Sequence, residues 1–263
     1  MPAININKTR WDGGYKWTNR GDEWSEPWGN PSMQWYGTIL PRIKSHVPST
    51  RILEIACGYG RWTQYLKDLC KDLSVIDLSE ECIEACKERF ATSSNIEYYV
   101  NDGKSLEMIS DSSVDFIFSF DSLVHADESV LEAYICQFQR ILSDNGVAFI
   151  HHSNLGEYKE KYASIRRLPK LEGLLVRLGI LEQHLHWRDF SVDAKKVEIL
   201  ANKYGLKCIG QEMVTWGTKN LFIDCMSTIV KQDSLLERNN HILRNDKFMK
   251  EAQNLLQLSK LYV

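Results

Sequence analysis

The residues Leu53-Glu54-Ile55-Ala56-Cys57-Gly58-Tyr59-Gly60 form the stretch of this chain best suited to chemistry. Arg51 to Ala56 reads as a short apolar strand, and the glycines after it make a turn whose backbone N–H groups approach a ligand closely before a helix begins. That arrangement suits either a dinucleotide or an adenosyl ligand. The dinucleotide fingerprint needs G-x-G-x-x-G, but Arg61, Trp62 and Thr63 follow Gly60, so its third glycine is missing. Glu54 instead puts a carboxylate inside the strand. Three later apolar runs end in acids: Asp77, Asp102 (in Asn101-Asp102-Gly103) and Asp121 (in Phe120-Asp121-Ser122-Leu123). Open parallel sheets bind ligands at the carboxyl ends of their strands, where a carboxylate such as Asp77 accepts the hydroxyls of a ribose.

Histidines supply the candidate bases. His125 follows the fourth apolar run, and His151 and His152 end the fifth. A neutral imidazole is the usual general base near neutral pH, so these three are the catalytic candidates, with His125 foremost. His151 and His152 are adjacent on a strand and face opposite sides, so only one can serve a given site. No metal is assigned. A divalent ion held by Asp121 and His125 is the competing possibility, and His184 and His186 could form a second polar group. Ser191 reads as the N-cap of the helix after them.

The elements that must position these groups alternate. Strands are expected at 51–56, 73–76, 96–100, 114–118 and 147–151. Helices are expected at 31–46, 61–69, 79–90 (capped by Ser79) and 128–142, the last ended by the turn Asp144-Asn145-Gly146. Such alternation implies a parallel sheet covered by helices on both faces. Residues 153–190 read as a helical, charge-mixed insert. A helix at 193–204 and strands at 206–213 and 221–230 follow, the strands as an antiparallel hairpin at the sheet edge. Residues 231–263 read as one or two amphipathic helices, which could form a dimer contact. The domain boundaries expected are an arm and helix over 1–50, a sheet domain over 51–230 and a tail over 231–263.

The 263 residues, 43% hydrophobic, suffice for a sizeable core. With 32 basic and 35 acidic residues the chain lacks a nucleic-acid footprint. No apolar run is long enough for a membrane span and no secretory signal pattern opens the sequence, so a cytoplasmic protein is expected. Its seven cysteines include no CxxC pair and read as reduced thiols. The skewed feature is tryptophan, because Trp11, Trp17, Trp24, Trp28 and Trp35 crowd the first 35 residues. Among glycines and charges, they read as a lid over the strand ends rather than as core.

The segment from Arg51 to Ser153 resembles class I S-adenosylmethionine-dependent methyltransferases. Glu54-x-Ala56-Cys57-Gly58-x-Gly60 is similar to that family's first motif, E/D-x-G-x-G-x-G, with Ala56 where the family has glycine. The resemblance implies a Rossmann-like, doubly wound α/β sheet of seven strands with one antiparallel edge strand. It further implies a cofactor site in which Gly58 and Gly60 line S-adenosyl-L-methionine above Glu54, with Ala56 near the methionine moiety. Asp77 would lie at the ribose, Asp102 and Gly103 at the adenine, Asp121 at the methionine amino end, and Leu78 and Trp28 against the cofactor. A narrower likeness, carried by the tryptophan arm, Phe120-Asp121-Ser122-Leu123-Val124-His125 and His151-His152-Ser153-Asn154, is to methyltransferases of glycan or secondary-metabolite pathways. Trp17, Trp24, Asn154 and Arg188 are then candidates for the acceptor wall.

The implied reaction is methylation of a hydroxyl on a small polar acceptor, a sugar or secondary metabolite. The nearest alternative is a small-molecule N-methyltransferase. An NAD-linked oxidoreductase and a non-catalytic cofactor-binding module are the remote ones. The fourth strand ends in Phe120-Asp121-Ser122-Leu123 rather than an N-P-P-Y sequence, which speaks against methylation of DNA adenine or glutamine.

Overall fold

The computed structural model describes residues 4–166, 188–218 and 221–262. Among them, eight strands form one sheet in the order β3-β2-β1-β4-β5-β7-β6-β8. They are β1 Ser49–Ile55, β2 Cys70–Asp77, β3 Ile96–Val100, β4 Val114–Ser119, β5 Leu142–Ser153, β6 Leu206–Val214, β7 Asp224–Lys231 and β8 His241–Asn245. Strands β1 to β5 run parallel, β8 is parallel to β6, and β7 is antiparallel to both its neighbours. The strand order reverses between β1 and β4, which opens a crevice at their carboxyl ends.

Period-two alternation sends neighbouring side chains to the two faces. Ile52, Phe116 and Phe118 join one buried cluster with Trp35, Ile39 and Ile43 of the segment before β1. Leu53, Ile55 and Ile117 join the other with Leu131, Ile135 and Phe138 of the helix Glu128–Ile141. Apolar residues on both sides of each central strand are what a sheet covered on both faces requires.

Two expectations about the sheet are corrected. It has eight strands rather than seven, and its antiparallel strand is internal, because β7 enters between β5 and β6 and pairs on both edges. The edge is β8, drawn from the tail that was expected to be wholly helical; the helix Phe248–Leu261 accounts for the rest of that periodicity. Ile242 and Leu243 in β8 are exposed on opposite faces, so no alternation marks the strand and only backbone pairing with β6 defines it. Asp144-Asn145-Gly146 is also absorbed into β5. The register slips there from Val114↔Leu142 to Phe116↔Val147, so the turn residues form an irregularity inside a strand.

Helix entries follow local chemistry. Ser79 Oγ accepts the Cys82 N–H (3.2 Å) and Asp127 Oδ1 the Val130 N–H (3.0 Å). Asp193, not Ser191, caps the helix Ala194–Lys203, accepting the Lys196 N–H at 2.7 Å. Ser191 Oγ accepts instead from Glu128 N at the head of the neighbouring helix. The expected helix over 61–69 is only one turn, Thr63–Leu66, because β2 already begins at Cys70. Of the insert, a 3₁₀ turn at Leu155–Tyr158 and the helix Lys159–Arg166 are described, while His184 and His186 lie outside the described residues.

The tryptophan arm divides. Trp28 is fully buried in the core beside Trp216 (5.4 Å) and Phe248 (5.9 Å), and its indole N–H donates to Thr38 Oγ1 at 2.9 Å. Its assignment to the cofactor is therefore corrected: the chain from Asp22 to Ile43 packs as helical turns on the sheet and draws this ring inward.

Candidate active site

After β1 the chain turns with Ala56 at φ 59°, Gly58 at 55° and Gly60 at 83°. At position 60 glycine is required, because a Cβ would lie 2.5 Å from Phe90 Cε2. Ala56 takes the left-handed conformation without that freedom, at a cost of about 1–2 kcal/mol. Its N–H donates to Ile76 O (2.7 Å), and Ser122 Oγ donates to its carbonyl (2.8 Å), which hold it there. Asp77 fastens the turn from β2: Oδ2 accepts the Gly58 N–H and Oδ1 the Ser79 N–H, both at 2.9 Å. Burial pushes the Asp77 carboxyl above its ordinary value, and these N–H donors oppose the shift.

The strand ends open on a cavity of about 650 Å³, lined by Ala56, Gly58, Asp77, Leu78, Gly103 and Asp121 among others. The arm contributes Trp11, Tyr15, Trp17 and Trp24 to the same cavity. Trp17 stacks on Tyr59 at 4.4 Å over the glycine turn. The arm is pinned from below, where Ser79 Oγ donates to Asp12 Oδ1 (3.0 Å) and Arg89 pairs with Asp22 (3.0 Å). Next to Glu23, burial pushes the Tyr15 hydroxyl up to about 12, helped by that carboxylate, so it stays protonated.

At the end of β4, Asp121 sits at φ 61° and accepts from Arg61 Nη2 at 2.8 Å. Arg61 lies over the Trp62 ring and lines the cavity, and its Nη1 is buried without a hydrogen-bond partner. Trp17 Nε1 is another buried donor left unpaired on a cavity-lining residue. Burial pushes the Cys57 and Cys82 thiols well up, so neither is a nucleophile near neutral pH.

His125 lines the cavity, its ring 5.5 Å from Trp11. The other two histidines do not line it. His151 is buried beneath, its Nδ1 accepting the Asp121 N–H at 3.1 Å. His152 is buried with both ring nitrogens engaged, by Ser153 O and Ser227 Oγ at 2.8 Å each. Burial pushes its pKa down to about 4, so it is a neutral structural group, and its expected catalytic role is withdrawn. Asn154 is likewise spent on structure, donating to Phe222 O (2.7 Å) and accepting from Ala194 N (2.8 Å). Arg188 does line the cavity, while its Nε and Nη2 clasp Asp224 at 2.6 Å each. The Asp102 side chain is exposed and accepts the Lys104 and Ser105 N–H groups, so only Gly103 of that pair borders the cavity. Sequence reasoning missed Arg61 and Trp216 as lining residues. Arg61 was legible as the first residue after the glycine turn, but Trp216 carries no local signal.

Glu54 is buried under the turn, where Thr63 Oγ1 donates to it at 2.5 Å. Burial pushes its pKa up to about 8, against that hydrogen bond. An unfolded glutamate titrates near about 4.3. The protonated side chain therefore contributes stability fully below that pH, and the contribution is lost as pH rises toward 8. Glu54→Gln cannot ionise and keeps an acceptor for Thr63. In urea unfolding from pH 5 to pH 8, the wild-type chain is expected to lose stability relative to Glu54→Gln by about 1.4 kcal/mol per pH unit.

Among the described residues, no cluster of three or more His, Cys, Asp or Glu side chains is placed to hold a metal ion, and no helix is long and apolar enough to cross a membrane.

Residues 52–146 match the protein family described as methyltransferase domain. Nodulation protein S of Rhizobium tropici is 27% identical over 104 residues, which span 38% of this chain and 44% of that protein, less than half its length. Among solved structures, an S-adenosylmethionine-dependent methyltransferase from Clostridium acetobutylicum has a TM-score of 0.56 at 14% identity, covering 75% of this chain and 91% of its own. N-methyltransferase NodS from Bradyrhizobium japonicum, in complex with S-adenosyl-L-homocysteine, has a TM-score of 0.54 at 17% identity, covering 80% and 92%. At such identities the structural likeness speaks for the fold. The family match covers the glycine turn of β1 and the strand ends that follow it, so residues 52–146 form a methyltransferase domain on a doubly wound sheet.

Proposed function

We propose that the chain transfers a methyl group from S-adenosylmethionine to a hydroxyl of a small polar acceptor, with His125 as general base. The observation that carries this reading is the cavity itself: of the three candidate histidines only His125 borders it, together with the ends of β1, β2 and β4. The residues present fit the cofactor. Asp77 offers a carboxylate to ribose hydroxyls, and Leu78 and Gly103 offer an apolar and backbone surface to adenine. The Arg61–Asp121 pair presents a cation and an anion side by side to an amino-acid head, and the unpaired Arg61 Nη1 is a buried donor for its carboxylate. When bound, the cofactor supplies an electrophilic methyl on a sulfonium. The protein's part is to orient the acceptor, exclude water with Trp11, Trp17 and Trp24, and accept the hydroxyl proton on the His125 ring.

An amine acceptor is the second reading. Glu23, which accepts from the Tyr15 hydroxyl at 3.1 Å among aromatic rings, would suit a cationic nitrogen, and NodS, to whose structure this fold is similar, is an N-methyltransferase. His125→Gln separates the two in turnover assays against hydroxylated metabolites and amines. For a hydroxyl acceptor, kcat is expected to fall about 10²–10⁴-fold, while S-adenosylhomocysteine affinity by calorimetry stays at the wild-type value. An amine acceptor whose methylation survives the substitution nearly intact would replace the hydroxyl reading.

A further inference from the structure

We infer that His151 is a positioning residue, which holds Asp121 in its left-handed conformation at the cavity from a buried relay anchored by Asp224 and Arg188. The need for such a device starts at Asp121. A non-glycine residue at φ 61° is strained and persists only where its surroundings over-determine it. Two contacts do so: Arg61 grips its carboxylate at 2.8 Å, and its backbone N–H donates to His151 Nδ1 at 3.1 Å.

Accepting that N–H requires a lone pair on Nδ1, so the neutral ring carries its proton on Nε2. That nitrogen has no hydrogen-bond partner of its own and stands 3.5 Å from Asp224 Oδ2. Asp224 is fully buried and clasped bidentately by Arg188. Burial alone would raise its carboxyl, but the guanidinium and the imidazole outweigh this, and it lies below the usual carboxylate range. A fixed carboxylate facing Nε2–H favours the tautomer that leaves Nδ1 open. Phe120 (4.7 Å) and Trp216 (5.1 Å) hold the ring from either neighbouring segment. Asp121 and Arg188, the two ends of the relay, both border the cavity, whereas His151 between them does not. It therefore acts through Asp121 and touches no ligand.

The test uses the full chain with S-adenosylhomocysteine as the probe. His151→Leu removes the acceptor; it is expected to lose at least tenfold in affinity by calorimetry and to speed amide exchange at Asp121 relative to Phe118. His151→Asn places an amide oxygen where Nδ1 stood, and it is expected to regain most of both without regaining thermal stability. In wild-type protein with ¹⁵N-labelled histidine, the His151 ring is expected as the Nε2–H tautomer. Equal affinities of the leucine and asparagine variants, or a proton on Nδ1 at neutral pH, would overturn the inference. The inference rests on the proposed cofactor. A wild-type chain that does not bind the probe defeats that reading, whereas one that binds it, beside an unchanged leucine variant, defeats this inference alone.

Discussion

Asp77→Ala is expected to weaken S-adenosylhomocysteine binding about a hundredfold or more and to destabilise the apo chain in the same stroke. A ribose held by a carboxylate makes charge-assisted hydrogen bonds worth about 1.5–3 kcal/mol each, so losing two costs about two to four decades of affinity. The same carboxylate also fastens the turn. Without it, the Gly58 and Ser79 N–H groups lose their partners, at about 1–3 kcal/mol for each that stays buried. Asp77→Asn keeps one acceptor and is expected to fall between the two in both measurements. Calorimetry with S-adenosylhomocysteine and urea unfolding of the apo chain check the two effects separately. If Asp77→Ala binds as tightly as wild type, the ribose is not held at the end of β2.

Trp28→Ala is expected to lower stability by about 3–5 kcal/mol, the range for a large aromatic removed from a packed core. The ring is fully enclosed by Trp216, Phe248 and the segment before β1, and its removal also orphans the buried hydroxyl of Thr38. Trp24 lies four residues earlier but is 37% exposed at the cavity rim. Trp24→Ala is expected to cost less than about 1 kcal/mol of stability, as surface substitutions do, and to act on acceptor binding instead. Urea unfolding of the two variants checks the contrast, and comparable losses would show that the arm is a single structural unit.

Much of the frame was legible because it is written in local chemistry. The glycine turn needs positive φ where its glycines stand, and the caps at Ser79 and Asp127 need only an oxygen and a nearby N–H. Asp77 closes β2 and Asp121 lies two residues past the end of β4, each just after a short apolar run that a sequence reading can follow. What misled was long-range. The tryptophans of the arm share a composition, yet Trp28 faces the core while Trp17 and Trp24 face the cavity. That division depends on the helical turns over 22–43 and on Trp216, nearly two hundred positions away in the chain. The histidine pair behaves the same way. Alternation on β5 assigns His151 and His152 to opposite faces, but that both faces are sealed at this point follows from β7 pairing alongside and from Arg188 reaching Asp224.

The sequence by itself therefore determined the doubly wound sheet, the ligand turn after β1, the acidic strand ends and the family resemblance, since each depends on spacing within a few residues. Tertiary structure alone decided which side chains reach the cavity. It set β7 inside the sheet and β8 at its edge, buried His151, His152 and Asn154, brought Arg61 onto Asp121, and left His125 at the wall. The physical reason is that periodicity fixes the face a residue occupies, whereas what covers that face is set by segments far away in the chain.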